Sequence, residues 1–161
     1  MAEKGDDRFL ILLLVAVLGR LVLYGFPSVK PVIPIIVFAA LTLGLRQGIL
    51  MGVAVFFLTN LVIDGMTGYG FGSWTIHQII GGALAAYAAV LVVGKKEVTA
   101  LELITATVVG TLVFEVVVNI GGAGGFSLDY FLGSLPFSVA HLAGNLLFAV
   151  ILAGFLPKAT H

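Results

Sequence analysis

The chain has 161 residues, of which 60% are hydrophobic and 10% charged, and its mean hydropathy is +1.19. Soluble domains carry about 25% charged and about 45–50% apolar residues, so the composition excludes a soluble enzyme, a nucleic-acid-binding protein and a disordered chain. Eight Lys and Arg balance eight Asp and Glu, and Cys is absent, so neither polyanion binding nor disulfides are indicated. We expect a single all-α integral membrane domain over residues 1–161.

Apolar runs divide the chain into six predicted helices, which form one compact six-transmembrane-helix bundle. We predict helices over 9–26, 32–45, 49–63, 76–93, 101–120 and 135–156. A bilayer core about 30 Å thick needs about 20 helical residues, so the second and third helices are short. A re-entrant pair in place of these two would leave four spans. The first run lacks a clear small-x-small cleavage site and is long for a signal peptide, so we expect it to be retained.

Basic residues near the helix ends predict the orientation. With six spans, one side carries six Lys or Arg and the opposite side carries Lys30 alone. The six are Lys4, Arg8, Arg46, Lys95, Lys96 and Lys158. Because cytoplasmic loops are enriched in Lys and Arg, we expect both termini in the cytoplasm and a multi-pass protein in the cell membrane.

Two predicted outer loops, 64–75 and 121–134, combine glycines with aromatic residues. One interpretation is a flexible connector with aromatic anchors at the membrane interface. The other is a mobile lid that closes over a ligand. The aromatic residues expected as covers are Tyr69, Phe71, Phe126 and Tyr130.

Polar side chains of the predicted helices gather in the outer half. A charged group at the bilayer centre costs roughly 2.5–3.5 kcal/mol, so these positions carry information about function. The candidate substrate-binding residues are Arg20, Asn60, Trp74, His77, Gln78, Glu115, Asn119, His141 and Asn145. The inner half is nearly apolar, which argues against a pore lined along its whole length and predicts a cup that opens outward.

Each candidate also has a structural interpretation. Arg20 and Glu115 are expected to form a buried ion pair that joins two helices, and a role in a pocket is compatible with this pairing. Asn119 and Asn145 are typical of hydrogen bonds between membrane helices, and Trp74 is typical of an interfacial belt. Rows of small residues, including glycines 44, 48 and 52, predict close packing within the chain, with docking to another membrane subunit as the alternative.

The sequence lacks the common motifs of nucleotide-binding and catalytic sites. It has no nucleotide-binding loop, no Gly-x-Ser-Gly and no His-Glu-x-x-His. A metal shared by His77 and His141 with Glu115 or Asp64 would lack any local ligand motif. We therefore expect no enzymatic activity, no cofactor and no metal.

Several segments together are similar to one family. They are 26–32 (FPSVKPV), 44–48 (GLRQG), 72–78 (GSWTIHQ) and 135–145 (LPFSVAHLAGN), with Asn60 before a glycine-rich loop. In order and spacing they resemble the substrate-specific (S) components of energy-coupling factor (ECF) importers, and the branch associated with cobalamin and related corrinoids most closely. The resemblance covers most of the chain.

This resemblance implies a six-helix protein that binds a vitamin-like micronutrient from outside. It also implies assembly with a transmembrane coupling (T) subunit and two cytoplasmic ATPases, and release of the cargo after toppling in the membrane. The first helix departs from the family's small-xxx-small docking pattern, because Ala16 is followed four residues later by Arg20, and Gly19 is the nearest substitute.

Two other functions stay open on the sequence alone. A structural or morphogenesis scaffold predicts lateral partners without a tightly bound small ligand. A stand-alone small-solute carrier or channel predicts transport by the chain by itself. A corrinoid, a purine-like base and a small heterocycle are all compatible with the candidate residues.

Overall fold

The computed structural model describes residues 3–26, 28–94 and 97–156, with side chains from residue 7 onward. Throughout the described residues the chain is all-helical, with six α-helices. They are α1 (Glu3–Val22), α2 (Val32–Thr42), α3 (Leu45–Thr67), α4 (Ser73–Val93), α5 (Ala100–Ala123) and α6 (Leu128–Ala153). The predicted number of helices is confirmed, whereas several of their bounds differ.

The third helix is longer than the sequence indicated. The helical conformation is interrupted at Leu43 and Gly44, between α2 and α3. Gly44 adopts φ +104°, a conformation that glycine tolerates because it lacks a Cβ. Arg46 and Gln47, which we expected in the turn, therefore lie in the first turn of α3. The prediction of a short third helix is wrong, since α3 has 23 residues. The first helix ends at Val22 rather than at residue 26.

Both connections that we expect on the outer side are shorter than predicted. Helix α6 begins seven residues earlier than residue 135, because the Ser127 hydroxyl accepts a hydrogen bond from the backbone N–H of Tyr130 at 3.3 Å and caps the helix. Residues 124–127 alone connect α5 to α6, and residues 68–72 connect α3 to α4. The long loop expected over 121–134 is thus mostly helical.

Within the described part of the chain, four helices, α3 to α6, are long and apolar enough to cross a membrane. Helix α1 carries charged residues in its first two turns and Arg20 near its end. Helix α2 has 11 residues, so at 1.5 Å per residue it is about 16 Å long, roughly half of a bilayer core. Spanning by α1 and α2 and the side on which the termini lie stay predictions.

Some residues used in the sequence argument lie outside the described part of the structure. They are Pro27, Lys95, Lys96 and Lys158, together with the side chain of Lys4.

Helix α2 forms the centre of the bundle. Residues 32–40 are all buried, and α2 packs against each of the other five helices. A helix that is hydrophobic on every side is buried in a protein core or in a membrane, and here the other five helices surround it. The short second helix of the prediction is therefore a core element.

Small residues allow the surrounding helices to approach closely. An ideal Cβ built on Gly52 of α3 would lie 2.9 Å from the backbone carbonyl carbon of Gly82 on α4. Gly48 faces Ala40 of α2, and Gly144 of α6 faces the backbone of the segment that precedes α2. Packing within the chain, the favoured interpretation of these glycines, is confirmed at these positions.

The outer surface of the bundle is apolar. Large hydrophobic side chains are exposed along α3 to α6, including Leu61, Leu91, Leu112 and Val150. Exposed apolar surface of this extent is unfavourable in water and favourable against lipid. The exterior thus agrees with a membrane protein.

Candidate functional site

A cavity of about 320 Å³ lies at one end of the bundle. It is found where α1, α3 and α5 approach their C-terminal ends and α2, α4 and α6 begin. Its polar lining residues are Arg20, Ser28, Lys30, Gln78, Glu115, Asn119, Tyr130, Ser134 and His141. Its apolar lining residues are Val32, Ile33, Phe56, Phe114, Val118 and Phe137.

The cavity depends on the length of α2. Its first turn, at Val32 and Ile33, lines the cavity, and the helix is only about 16 Å long. The longer helices around it therefore extend beyond its N-terminal end. The segment 28–31 enters this region, with Ser28 buried in the left-handed conformation at φ 66°.

Glu115 of α5 is held by two residues of α6. Nδ1 of His141 lies 2.5 Å from Oε1 of Glu115, and the Ser138 hydroxyl donates to Oε2 at 2.5 Å. Ser138 and His141 are three residues apart and share one face of α6. Asn119, one turn beyond Glu115, donates from Nδ2 to the Glu115 backbone carbonyl at 2.8 Å. These contacts fix the carboxylate between α5 and α6.

This cluster differs from the catalytic arrangement of serine hydrolases. In that arrangement, the nucleophilic serine hydroxyl contacts the imidazole. Here Ser138 and His141 both contact Glu115 instead. The cluster places a carboxylate and an imidazole in the lining of the cavity.

Arg20 is buried, and its hydrogen-bond partners are neutral side chains. Its guanidinium donates to the Thr59 hydroxyl and to Oε1 of Gln78, the latter at 3.3 Å. It also lies 5.0 Å from the centroid of the Phe56 ring, which gives a cation–π contact. The expected Arg20–Glu115 ion pair is therefore wrong. Both residues line the same cavity, but the carboxylate is oriented toward α6, where His141 is its partner.

Asn60 lies behind the lining of the cavity and contacts Gln78, which is part of that lining. Its Nδ2 donates to Oε1 of Gln78 at 2.8 Å and to the Thr75 hydroxyl at 3.0 Å. Asn60 itself is buried and does not line the cavity. It orients Gln78, which in turn contacts Arg20.

Besides Asn60, three candidate residues lie outside the cavity. Trp74 is 43% exposed, and its indole N–H donates to the Gly70 carbonyl at 3.2 Å. His77 has its Nδ1 3.0 Å from the Ser73 carbonyl. Asn145 is fully buried and donates to the Thr111 hydroxyl at 3.0 Å, a bond between α6 and α5. Of the four aromatic residues expected as covers, Tyr130 is the one among the cavity-lining residues.

Lys30, which the sequence presents only as a marker of orientation, lines the cavity. Its Nζ donates to the Phe26 carbonyl at 3.3 Å. Burial lowers the pKa of Lys30, and the positive charge of Arg20 lowers it further. The flanking prolines were the only signal in the sequence that this lysine belongs to a constrained segment.

The aromatic residues Phe56 and Phe114, which line the cavity, were also not predicted from the sequence. The rings of Phe56 and Phe114 stack with their centroids 5.3 Å apart, and Phe114 meets His141 edge-on at 5.7 Å. Gly81 and Gly82 of α4 make room for these rings, since a Cβ on either would lie 2.9 Å from a ring carbon. The pairing depends on how three helices pack together, so local sequence patterns do not reveal it.

The four residues considered as metal ligands from the sequence, His77, His141, Glu115 and Asp64, do not come together in the structure. His141 contacts Glu115, whereas His77 contacts the Ser73 carbonyl and the Asp64 carboxylate accepts from the N–H groups that follow Tyr69. Among the described residues, no three His, Asp or Glu side chains lie close enough to hold a metal ion.

Comparisons with models of protein families, with characterised proteins and with solved structures found no match for this chain.

Proposed function

We propose that this chain is the membrane substrate-binding subunit of an ATP-driven importer of the ECF type, and that it captures a vitamin-like small molecule in the cavity. The observation that carries the proposal is the cavity itself: charged and amide groups converge on it at one end of an otherwise apolar bundle. Buried ionisable groups are costly in a membrane, and where they occur they commonly serve binding or transport. Structural packing alone would not need an open volume beside them.

The proposed orientation places the cavity toward the outside. Arg8 lies near the beginning of α1 and Arg46 near the beginning of α3, which is the end of the bundle opposite the cavity. With the positive-inside rule, this end faces the cytoplasm in a six-span, multi-pass arrangement in the cell membrane. The cavity would then receive its ligand from outside the cell.

The proposed partners follow from the missing energy source. The sequence has no nucleotide-binding loop, so ATP-driven uptake requires a transmembrane coupling subunit and two cytoplasmic ATPase subunits. These partners are part of the proposal and rest on the resemblance to S components.

The cavity volume favours a small ligand. Pockets for small molecules have volumes of about 300–1,000 Å³, and this one, at about 320 Å³, lies at the lower limit. A corrinoid is several times larger than this volume. We therefore propose a vitamin-sized single- or double-ring compound as cargo in preference to cobalamin.

The test is ligand capture by purified protein with a matched pair of histidine variants. Protein purified in mild detergent is analysed by mass spectrometry for bound metabolites, and the compounds found are titrated back. His141→Gln should weaken binding at least tenfold because it removes the partner of Glu115 inside the cavity. His77→Gln should leave the affinity unchanged, because His77 lies outside it.

Three results would contradict this function. Equal affinity in both variants would remove the cavity as the binding site. Absence of any bound metabolite from several growth conditions would favour a membrane scaffold. Uptake by the chain alone in liposomes would favour a stand-alone carrier.

A further inference from the structure

The charges that face the cavity do not balance. Arg20 is 8% exposed, and its hydrogen-bond partners Thr59 and Gln78 are neutral. Lys30 donates only to a backbone carbonyl. Within the described ranges, neither cation has a carboxylate within ion-pair distance. A buried charge without a counter-ion is unfavourable, so this end of the cavity is complementary to an anion.

Glu115 does not neutralise these cations. Its two carboxylate oxygens are used by His141 and by Ser138, each at 2.5 Å. The lining thus carries two cations, Arg20 and Lys30, against one carboxylate that already has its own partners. The surplus is positive whether or not His141 is protonated.

The beginning of α2 adds to the positive potential. The first N–H groups of a helix have no intrahelical acceptor, and no side chain caps those of α2. Val32 and Ile33, in this first turn, line the cavity together with the two cations. A helix N-terminus favours negative charge, which here acts in the same direction as Arg20 and Lys30.

The remaining walls suit a flat ring. Phe56 and Phe114 form a stacked pair, and Phe137 and Tyr130 line the same volume. Aromatic faces bind rings by stacking or edge-to-face contact with centroids about 4.5–7 Å apart. A volume of about 320 Å³ admits one or two fused rings with a short acidic substituent.

We propose that the occupant of the cavity is a small aromatic or heteroaromatic carboxylate. Its carboxylate lies toward Arg20, Lys30 and the first turn of α2, and its ring lies among the four aromatic side chains. The guanidinium has five N–H donors, and its contacts with Thr59 and Gln78 leave others available for the carboxylate. This inference rests on the proposed function and names the chemical class of its cargo.

The experiment uses pairs of probes that differ only in charge. Purified protein in detergent is titrated calorimetrically with nicotinate and nicotinamide, 4-aminobenzoate and 4-aminobenzamide, and indole-3-acetate and indole-3-acetamide. We expect the acid of at least one pair to bind at least tenfold more tightly than its amide, a difference of about 1.4 kcal/mol.

The matched variants are Lys30→Gln and Arg46→Gln. Lys30 is half-buried and makes a single hydrogen bond, so its replacement should preserve the fold and weaken binding of the acid about tenfold. Arg46 is exposed at the beginning of α3, so its replacement should leave the affinity unchanged. Arg20→Gln should abolish binding of the acid, and the Lys30 variant keeps the test decisive if that protein does not fold.

The outcomes separate this inference from the proposed function. Equal or tighter binding of the amides, or binding of none of the acids, overturns the carboxylate assignment. If mass spectrometry then finds a neutral or cationic metabolite bound to the protein, the importer subunit stands and only the ligand class fails. If no probe and no metabolite binds, both proposals fail.

Discussion

The contact between α3 and α4 provides a quantitative test of the fold. An alanine Cβ at position 52 would lie 2.9 Å from the carbonyl carbon and 3.2 Å from the carbonyl oxygen of Gly82. All the nearest atoms belong to the backbone, so relief requires the two helices to move apart by a few tenths of an ångström. Overpacking of this kind costs about 1–3 kcal/mol. We therefore expect Gly52→Ala to lower the free energy of unfolding by this amount.

Gly65→Ala is the matched control on the same helix. A Cβ at Gly65 would meet no atom within 4 Å apart from its chain neighbours and the nearby backbone of its own helix, and alanine is favoured over glycine in helices by up to about 1 kcal/mol. This variant should be neutral or more stable than the parent. Stability is measured by denaturant titration in detergent micelles, followed by circular dichroism. An equal change in the free energy of unfolding of the two variants, or a Gly52→Ala protein as stable as the parent, would refute the close contact of α3 with α4.

Two further predictions concern a helix cap and a titrating group. Thr99→Ala should lower the free energy of unfolding by about 0.5–2 kcal/mol, because the Thr99 hydroxyl accepts from the N–H of Glu102 at 3.2 Å and the Glu102 carboxylate accepts from the N–H of Thr99 at 2.9 Å. Thr105→Ala, at an exposed interior position of α5, is the control in the same denaturation assay, and equal stability of the two variants would contradict the cap. Burial holds the pKa of Lys30 in the free protein below the usual lysine value. A bound carboxylate favours the protonated amine, so the affinity for an acidic probe should fall as the pH rises through this pKa. Calorimetry at several pH values measures how the affinity changes with pH. If the affinity of the Lys30→Gln variant falls as steeply as that of the parent, another group is responsible for the pH dependence.

Much of the helical content could be predicted from the sequence because hydrophobic runs and helix breakers are local signals. Gly44 and the prolines before α2 divide the chain as expected, and α4 and α5 lie within three residues of their predicted bounds. The beginning of α3 was placed too late because Arg46 and Gln47 were taken as part of the turn. The end of α3 and the beginning of α6 were wrong because loops rich in glycine and aromatic residues were taken as long connections. The Ser127 cap shows that a local signal for the beginning of α6 was present in the sequence.

The candidate site was predicted in part. Five of the nine candidate residues, Arg20, Gln78, Glu115, Asn119 and His141, line the cavity. Their distances along the chain from the predicted helix ends placed them in one half of their helices, but these distances do not fix the rotation of each helix relative to its neighbours. Asn145 shares the helical face of His141 by spacing, yet it contacts Thr111 in the core instead of the cavity.

The sequence by itself determined that this chain is an apolar helical protein whose candidate site residues fall mostly in one half of their helices, because composition and hydropathy depend only on the identity and order of the residues. Only the tertiary structure decided that Glu115 pairs with His141 and not with Arg20, and that α2 lies buried among all the other helices. The physical reason is that charge pairing and cavity shape depend on distances between helices. These distances are set by the glycine contacts and by the shortness of α2, beyond whose first turn the cavity lies.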